Sequence, residues 1–487
     1  MLGKIPVEGF SMATIPTYDD MLDVVGDGDP SEFVMACIQS YKSSDEYKMA
    51  VLADEYDHQR NRTILEYTKT LYTMSGVATD DFTASNNRLC SNFFNRLNTQ
   101  RCLYSLGKGV SFVDVGESGE DKTKEMLGKH FDHDIKEAGY YSLIHGRSYL
   151  FWDVDRLHVF KATEFVPLVD EATGELRAGI RFWQLDNTKP LIAVLYEEDG
   201  FTKFGSTDEG LRETQPKRAY KTTYETVPYD GEVETVEEEN YTSLPIVMMY
   251  GSRLKQSTLV GMRSQIDAYD LVRSGFANDM TDCAEIYWIV NNAGGMDDSD
   301  LMRFRDRLKL QHIANVDGSD GAGVTPYTQD IPYQARETFL AEIRSGIYED
   351  FGALDVHTVA AGATNDHIDA AYQPMDENAD DFESWVREAI VKVLALIGID
   401  DEPVFIRTRI SNQLEQVQMV MQEAQYLDRE TVLRKLPNIT PDEVQAILER
   451  SDEEDMARFA AVQAMQETQL EEEGQQEGQQ EGVQDEG

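Results

Sequence analysis

Leu259-Val-Gly-Met-Arg-Ser-Gln-Ile-Asp-Ala-Tyr-Asp-Leu-Val-Arg-Ser-Gly-Phe-Ala-Asn-Asp-Met-Thr-Asp-Cys283 sets Met262, Ile266, Tyr269, Arg273, Phe276, Met280 and Cys283 at alternating steps of four and three residues. Steps of that size bring side chains back to one side of an α-helix, so the stretch reads as a helix with a single packing seam. A polar excursion follows, opening at Asn291-Asn-Ala-Gly-Gly295 and closing at Asp330-Ile-Pro332. Proline suits the first position of a helix, and Leu340, Ile343, Ile347 and Phe351 then form an apolar stripe on a second helix. Two helices joined by a small inserted module, with no catalytic signature between them, point to a scaffold that passes something through an assembly.

On the N-terminal side, residues 1 to about 30 carry Asp19, Asp20, Asp23, Asp27 and Asp29 among Gly and Pro and read as a flexible acidic leader. Helical periodicity runs from Ser31 to Met74, and a further amphipathic helix is expected over Asn86–Tyr104, with Leu89, Phe93, Leu97 and Leu103 near one face. Short β-rich runs follow, separated by Asp/Gly turns: Tyr149-Leu-Phe-Trp152, Leu157-His-Val-Phe160, Ala178–Trp183 and Leu191–Tyr196. The acidic segment Asp230–Glu239 reads as a hairpin tip or loop.

On the C-terminal side, Phe382, Trp385, Val386, Ala389, Ile390, Val393, Leu394 and Ile397 stripe one helix over Asp381–Ile397, and Gly398 stands where a C-terminal cap belongs. Another helix is expected over Asn412–Leu427, and Thr440-Pro-Asp-Glu443 has the pattern of a capping box opening a short one. From Ser451 to Gly487 there are twelve acidic residues and one basic, Arg458, with a repeated Glu-Gly-Gln-Gln. That composition has too little apolar surface to bury, so a disordered tail is expected.

The chain has 487 residues, 41% of them hydrophobic and 10% aromatic, enough to fill real cores. No apolar run approaches the roughly 18 residues of a membrane span, and no secretory signal opens the sequence. Cys37, Cys90, Cys102 and Cys283 form no C-x-x-C pair, which fits a reducing compartment and argues against a disulfide framework. The net charge of −46 should repel a duplex over most of the surface. Either solubility in a salty medium or a surface past which DNA slides without sticking would account for it.

Chemistry-bearing motifs are weak. There is no G-x-x-x-x-G-K-[ST], and Gly107-Lys-Gly109 is only a turn. His130-Phe-Asp-His-Asp134 reads better as a solvated helix face than as a metal site, and the serine of His145-Gly-Arg-Ser148 as the opening of a strand. Cys283 and His312 do not read as a thiol pair. Arg303-Phe-Arg-Asp-Arg-Leu-Lys309 is the most basic stretch of the excursion; as a strand it would set Arg303, Arg305, Arg307 and Lys309 on one face, for an acidic partner or for ordinary salt bridges.

The order of several segments resembles portal proteins of tailed double-stranded DNA bacteriophages, in particular those of siphoviruses. The resemblance is carried by Tyr104-Ser-Leu-Gly-Lys-Gly-Val110, Gly146-Arg-Ser-Tyr-Leu150, Phe165–Asp170 with Gly179–Trp183, and Leu244-Pro-Ile-Val247. It continues with Ile266-Asp-Ala-Tyr-Asp270 and Ser274, Ala371-Tyr-Gln-Pro-Met375, and Thr431-Val-Leu-Arg-Lys-Leu-Pro437, so it runs from about residue 50 to 450. The loop Gly362-Ala-Thr-Asn-Asp-His-Ile368 departs from the family pattern by lacking a lysine.

That resemblance implies an α+β portal fold: a mixed α/β wing at 31–255, a two-helix stem at 256–283 and 333–352, a small α/β clip at 284–332, and a helical crown at 368–450. It implies a homo-oligomeric ring of about twelve subunits at one capsid vertex. Double-stranded DNA would pass non-specifically through its channel, and the ring would bind the terminase large subunit, a head-completion or adaptor protein, and the major capsid and scaffolding proteins. The protein would sit in the virion, after assembly in the host cytoplasm. No catalysis, cofactor, metal or membrane is implied. The tunnel loop would span 353–367, with Leu354, Asp355, Val356, His357, Thr358 and Val359 nearest DNA. Arg303, Arg305, Arg307 and Lys309 would dock the clip partner, and Ile266, Tyr269, Phe276, Met280, Leu340, Ile343 and Ile347 would pack between subunits. The competing readings are a DNA-packaging or nucleic-acid-processing enzyme, which would need a Walker motif or clustered metal-binding carboxylates, and a capsid or scaffold component without a channel.

Overall fold

The computed structural model describes residues 15–25, 29–72, 77–80, 85–113, 122–208, 210–226, 233–282, 287–291, 299–300, 302–303, 323–327, 333–355 and 365–409, and beyond these 417, 420–424, 426–435, 444, 447–448 and 450. The chain divides into one unit of Met1–Asp355 with Pro374–Thr408 and a second of Val356–Gln373 with Arg409–Gly487. The architecture is α+β, with antiparallel strand pairing throughout the described sheets.

The first unit opens with α1 (Tyr18–Val25), α2 (Ser31–Ser43), α3 (Asp45–Asp57) and α4 (Arg62–Glu66). The paired strands β1 (Thr70–Tyr72) and β2 (Ala78–Asp80) precede α5 (Phe93–Leu106), β3 (Val110–Phe112), α6 (Lys122–Leu127) and α7 (Phe131–His145). Next come β4 (Arg147–Asp153), β5 (Arg156–Lys161), β6 (Phe165–Val169), β7 (Leu176–Trp183), β8 (Ile192–Glu197), β9 (Gly200–Thr207) and β10 (Gly210–Arg218). Then follow β11 (Lys221–Thr226), β12 (Val233–Glu239) and β13 (Ile246–Tyr250), before α8 (Leu259–Asp282), β14 (Tyr287–Asn291), β15 (Gly323–Tyr327) and α9 (Tyr333–Phe351). The long helix α10 (Asn365–Leu396), with Pro374 inside it, precedes β16 (Pro403–Phe405); α11 (Arg429–Lys435) belongs to the second unit.

Local chemistry sets these boundaries. Ser44 caps α3, its Oγ accepting the Tyr47 N–H at 3.2 Å. Gly146 ends α7 at φ +88°, where a Cβ would stand 2.6 Å from the Gln256 backbone, so only glycine fits between α7 and the chain entering α8. Gly398 ends α10 at φ +75°, and the Ile399 N–H reaches back to the Leu394 carbonyl at 3.0 Å. The cap is as the sequence predicts, and of the predicted stripe Phe382, Val386, Ala389, Ile390, Val393 and Leu394 are buried while Trp385 and Ile397 are half-buried.

Three apolar clusters hold the first unit. One joins α7, the sheet β13-β4-β5 and the C-terminal half of α10. A second packs α1 and α2 on the five-stranded meander β10-β9-β8-β7-β6, whose inward side chains alternate along each strand. The third brings together α3, α5, α8 and α9. The expected strand runs all form strands, and Phe165–Val169 pairs with Leu176–Trp183.

Several expectations give way. The span read as a flexible leader contains α1, because Met21 is buried and Tyr18 and Val25 pack on the second cluster. Helix does not run through to Met74: α4 stops at Glu66, and Thr70–Tyr72 is a strand. The helix expected from Asn86 begins at Phe93, since the Asn87, Leu89 and Ser91 amides bond to side chains of α8. Within the acidic run, Val233–Glu239 is a strand paired with Lys221–Thr226, and residues 230–232 lie outside the described residues. The span taken as a helical crown includes β16, which pairs with β3 in the first unit. Of the second unit, α11 is capped by Asp428, which accepts the Thr431 N–H at 3.0 Å and its hydroxyl at 2.6 Å. Thr440–Glu443 and the tail 451–487 lie outside the described residues.

Candidate functional site

The helix pair α8 and α9 is the centre of the site. Arg336 of α9 forms an ion pair with Asp279 of α8, and the Gln265 amide of α8 donates to Asp350 of α9. These two braces stand fourteen residues apart on both helices, about 21 Å of axis at 1.5 Å per residue. As one number rises the other falls, so the helices run antiparallel in fixed register. Around the Gln265–Asp350 brace, Leu259, Met262 and Ile266 meet Ile347, Tyr348 and Phe351, backed by Phe93, Phe94 and Leu97 of α5. Phe93 sits edge-on to Tyr269 with centroids 5.0 Å apart, an arrangement that suits opposed ring quadrupoles.

A second face of α8 is polar and buried. Asp270, Ser274 and Asn278 are 0%, 2% and 3% exposed, at steps of four. Each holds a backbone amide of the extended chain before α5. The Ser91 N–H donates to Asp270 Oδ1 at 2.9 Å, the Leu89 N–H to Ser274 Oγ at 2.9 Å, and the Asn87 N–H to Asn278 Oδ1 at 2.5 Å. Alternate amides of an extended chain recur every ~6.8 Å, and every fourth residue of a helix every ~6 Å. The two periods match closely enough for three successive contacts. Side-chain oxygens on a helix thus replace the carbonyls of a partner strand, which explains why 85–92 stays extended. The Asn61 amide donates to Asp270 Oδ2 and to the Ser91 carbonyl, tying the start of α4 into the same clamp.

Burial pushes the Asp270 carboxyl above its ordinary value, against the opposing pull of the Asn61 and Ser91 donors. One turn earlier, Asp267 accepts from the Tyr56 hydroxyl at 2.5 Å and the Thr63 hydroxyl at 2.7 Å. Burial and then this bond push Tyr56 up to about 12. The segment Ile266-Asp-Ala-Tyr-Asp270 with Ser274 therefore carries a fastening. The signal that would have found it is three small polar residues at helical steps of four on a helix whose other face is apolar.

The expected site residues separate. Ile266 and Ile347 are both 0% exposed inside the chain, so they fasten α8 to α9 and cannot pack against a neighbouring subunit. Tyr269 and Ile343 flank the same cluster, and Phe276 lies under the Arg336 guanidinium at 5.9 Å. Leu340 is half-buried and Met280 exposed. Val260, Leu271, Tyr333 and Phe339 are exposed apolar residues on the two helices that the seam pattern missed.

Leu354 is 5% exposed and its carbonyl accepts the Gln100 amide at 3.1 Å; Asp355 turns back to Arg344 at 3.0 Å. Both therefore anchor the end of α9 and do not project from a loop. Gly352 allows that reversal at φ +64°. Val356, His357, Thr358 and Val359 lie outside the described residues, as do Arg305, Arg307 and Lys309. Arg303 is exposed and stands 3.8 Å from Asp300. The inserted module carries the antiparallel pair β14-β15.

His133, Asp134 and Glu137 bring three potential metal-ligand atoms within 4.8 Å of one another at the start of α7. The reading of this motif as a solvated face holds for His133, but Asp134 is buried, lies 3.8 Å from Arg156, and is shifted upward by that burial. The serine of the His145–Ser148 segment does open β4, its hydroxyl donating to the Ala138 carbonyl at 2.8 Å. Among the described residues, no helix is long and apolar enough to cross a membrane.

Residues 44–457 match the family model for phage portal protein, SPP1 Gp6-like. The portal protein of Clostridium phage phiCD119 is 24% identical over 389 residues, covering 72% of this chain and 82% of that protein. The portal protein of Bacillus phage SPP1 is 24% identical over 452 residues, covering 83% of each. Among solved structures, a chain in the neck of an empty GTA particle computed with C6 symmetry aligns with 72% of this chain and 91% of its own length, at 10% identity and a TM-score of 0.42.

Proposed function

This chain belongs to the SPP1 Gp6-like family of phage portal proteins, and from that membership we propose that it closes into a homo-oligomeric ring, of about twelve copies, at one capsid vertex. Portal proteins of this family are structural components of the phage particle. The ring encloses a channel through which double-stranded DNA enters during packaging and leaves on ejection. In this reading the protein catalyses nothing itself. It serves as a dock for the terminase large subunit, then for a head-completion or adaptor protein, and meets the major capsid and scaffolding proteins during assembly in the host cytoplasm.

The observation that carries the reading is the braced α8–α9 pair. Its inner faces are closed within the protomer, yet Val260 and Leu271, eleven residues and about three turns apart, lie on one exposed line of α8. Met280 and Phe339 are also exposed. Apolar side chains repeated along a rigid rod suit burial against the next copy around a closed ring. On α9 the outward Glu342 and Glu349 share a face seven residues apart, and acidic groups facing a channel would keep phosphates from binding tightly. Val356–Val359 remain the proposed DNA-proximal loop, and Arg303, Arg305, Arg307 and Lys309 the proposed clip docking group.

Electron microscopy of the purified protein tests the proposal. Class averages with a central hole and near twelve-fold symmetry are expected. Monomers or dimers that persist across salt and concentration would sink it.

A further inference from the structure

The opening turns of α7 set three metal-capable groups on one arc. At about 100° per residue, Asp134 stands roughly 100° and Glu137 roughly 40° around the axis from His133. The glutamate, one turn on, therefore falls between the other two. The three donor atoms lie within 4.8 Å of one another. Asp132 is occupied elsewhere, accepting the Val110 N–H at 3.0 Å and pairing with Lys124 at 2.7 Å. The Tyr141 hydroxyl, a further turn along, bonds the Glu137 carboxylate and steadies it.

Asp134 is the member that asks for a ligand. It is 4% exposed, and its Oδ2 accepts no hydrogen bond among the described residues. The Arg156 Nε stands 3.8 Å from that oxygen, beyond hydrogen-bond range, and the Arg156 side chain is itself 49% exposed. Asp270, equally buried, shows the contrast: Ser91 and Asn61 fill both of its oxygens. A buried carboxylate with an orphaned oxygen and one loose, solvent-facing cation keeps much of its desolvation cost. A divalent cation held between His133, Asp134 and Glu137 offsets that cost directly. The positive half-charge at the start of a helix opposes such an ion, but two full carboxylate charges outweigh it.

We propose that His133, Asp134 and Glu137 hold one zinc ion at the start of α7. One imidazole nitrogen and two carboxylate oxygens suit zinc, whereas calcium and magnesium favour all-oxygen sets. Donors around a tetrahedral zinc with bonds of ~2 Å stand ~3.3 Å apart, so the cluster must tighten by no more than roughly 1.5 Å. His133 is exposed and Glu137 half-buried, so both side chains are free to turn inward by that amount. The fourth position faces solvent and takes water. Three ligands from successive turns make the ion a fastening for the start of α7, where the Gly128 Cα approaches the Asp155 carbonyl of the β4–β5 turn.

The tag-free full-length chain is stripped with a chelator and titrated with zinc chloride against a chromogenic zinc indicator. One ion per chain is expected to be withdrawn from the indicator. His133→Ala and Glu137→Gln are each expected to weaken that binding at least roughly tenfold. Neither residue lies in the core, so the metal-free melting temperatures of both variants should equal that of wild type, which separates loss of the site from loss of the fold. Zinc should then raise the melting temperature of wild type and leave that of His133→Ala unchanged. No zinc bound by wild type would overturn the proposal. Equal binding by wild type and both variants would also overturn it, by placing the ion elsewhere on the chain.

Discussion

The Ser91 amide donates to Asp270 Oδ1 at 2.9 Å, a bond between an extended segment and a helix 179 residues later in sequence. It is the most buried member of a three-rung clamp, because Asp270 is 0% exposed while the Asn61 amide fills its other oxygen. The clamp fastens the chain leading into α5 to the helix most concerned with the proposed channel.

Replacing Asp270 by Ala leaves two buried donors unmatched and is expected to cost about 2–4 kcal/mol, against about 1 kcal/mol for Ser274→Ala. Urea unfolding of both variants measures the difference. Equal losses would mean that the clamp rungs are interchangeable and the carboxylate is not special.

The same carboxylate should leave a mark on pH dependence. Its folded value is raised above the ordinary 3.8, so the folded state holds the proton more tightly than the unfolded chain. The group therefore favours folding most strongly below 3.8 and loses that contribution as pH rises toward the folded value. Wild type is expected to lose stability relative to Asp270→Asn over the acid range and to keep a constant offset above it. A gap that does not change with pH would show that Asp270 titrates like an exposed carboxyl.

Two apolar residues on α8 should behave in opposite ways. Ile266 is 0% exposed, so Ile266→Ala opens a cavity and is expected to cost about 2–5 kcal/mol. Leu271 is 40% exposed, so Leu271→Asp should change protomer stability by no more than about 0.5 kcal/mol. In size-exclusion chromatography with light scattering, Leu271→Asp is expected to shift rings toward smaller species. Unaltered rings would remove that line of α8 from the interface.

Arg407 gathers the acids of α10. Its Nε donates to Glu383 Oε1 at 2.9 Å, Nη2 to Glu383 Oε2 at 2.9 Å, and Nη1 to Asp376 at 3.1 Å, with Asp380 also paired. These bonds, those to Glu383 first, raise its already high proton affinity. Arg407→Ala is expected to cost about 2–3 kcal/mol, and lysine should recover less than half of it, since an ammonium cannot reproduce the planar fork. Calorimetry that finds the lysine variant equal to wild type would reduce the network to simple charge attraction.

Gly146 offers a backbone test. At φ +88° and 2.6 Å from the Gln256 backbone, a methyl group is both strained and obstructed. Gly146→Ala should lower the melting temperature by several degrees, as a loss of about 2 kcal/mol or more implies. A change below one degree would mean that the α7–α8 approach can open freely.

Much of this protein is written in short-range patterns. The apolar stripe ending at Gly398, the strand runs around Tyr149 and Ile180, and the helix pair at 259–282 and 333–351 follow from periods of 3.6 and 2 that any window of the chain displays. The ordered set of segments from Tyr104 to Pro437 also points to the family that the comparisons then establish. What those patterns lack is a partner. Leu89 looks helical beside Phe93 and Leu97, yet its amide is claimed by Ser274, and a local window cannot register a bond that spans 185 residues. Ile266 and Met280 occupy the same heptad seam, but one is sealed and the other exposed, because α5 backs only the first half of α8. Leu354 reads as a loop residue until Gln100 is seen to hold its carbonyl. The sequence by itself determined which faces are apolar and that Gly398 can end its helix, since both depend on neighbours a few residues away. Only the tertiary structure decided what covers each face, because burial and hydrogen-bond partnership are properties of chain segments brought together from far apart.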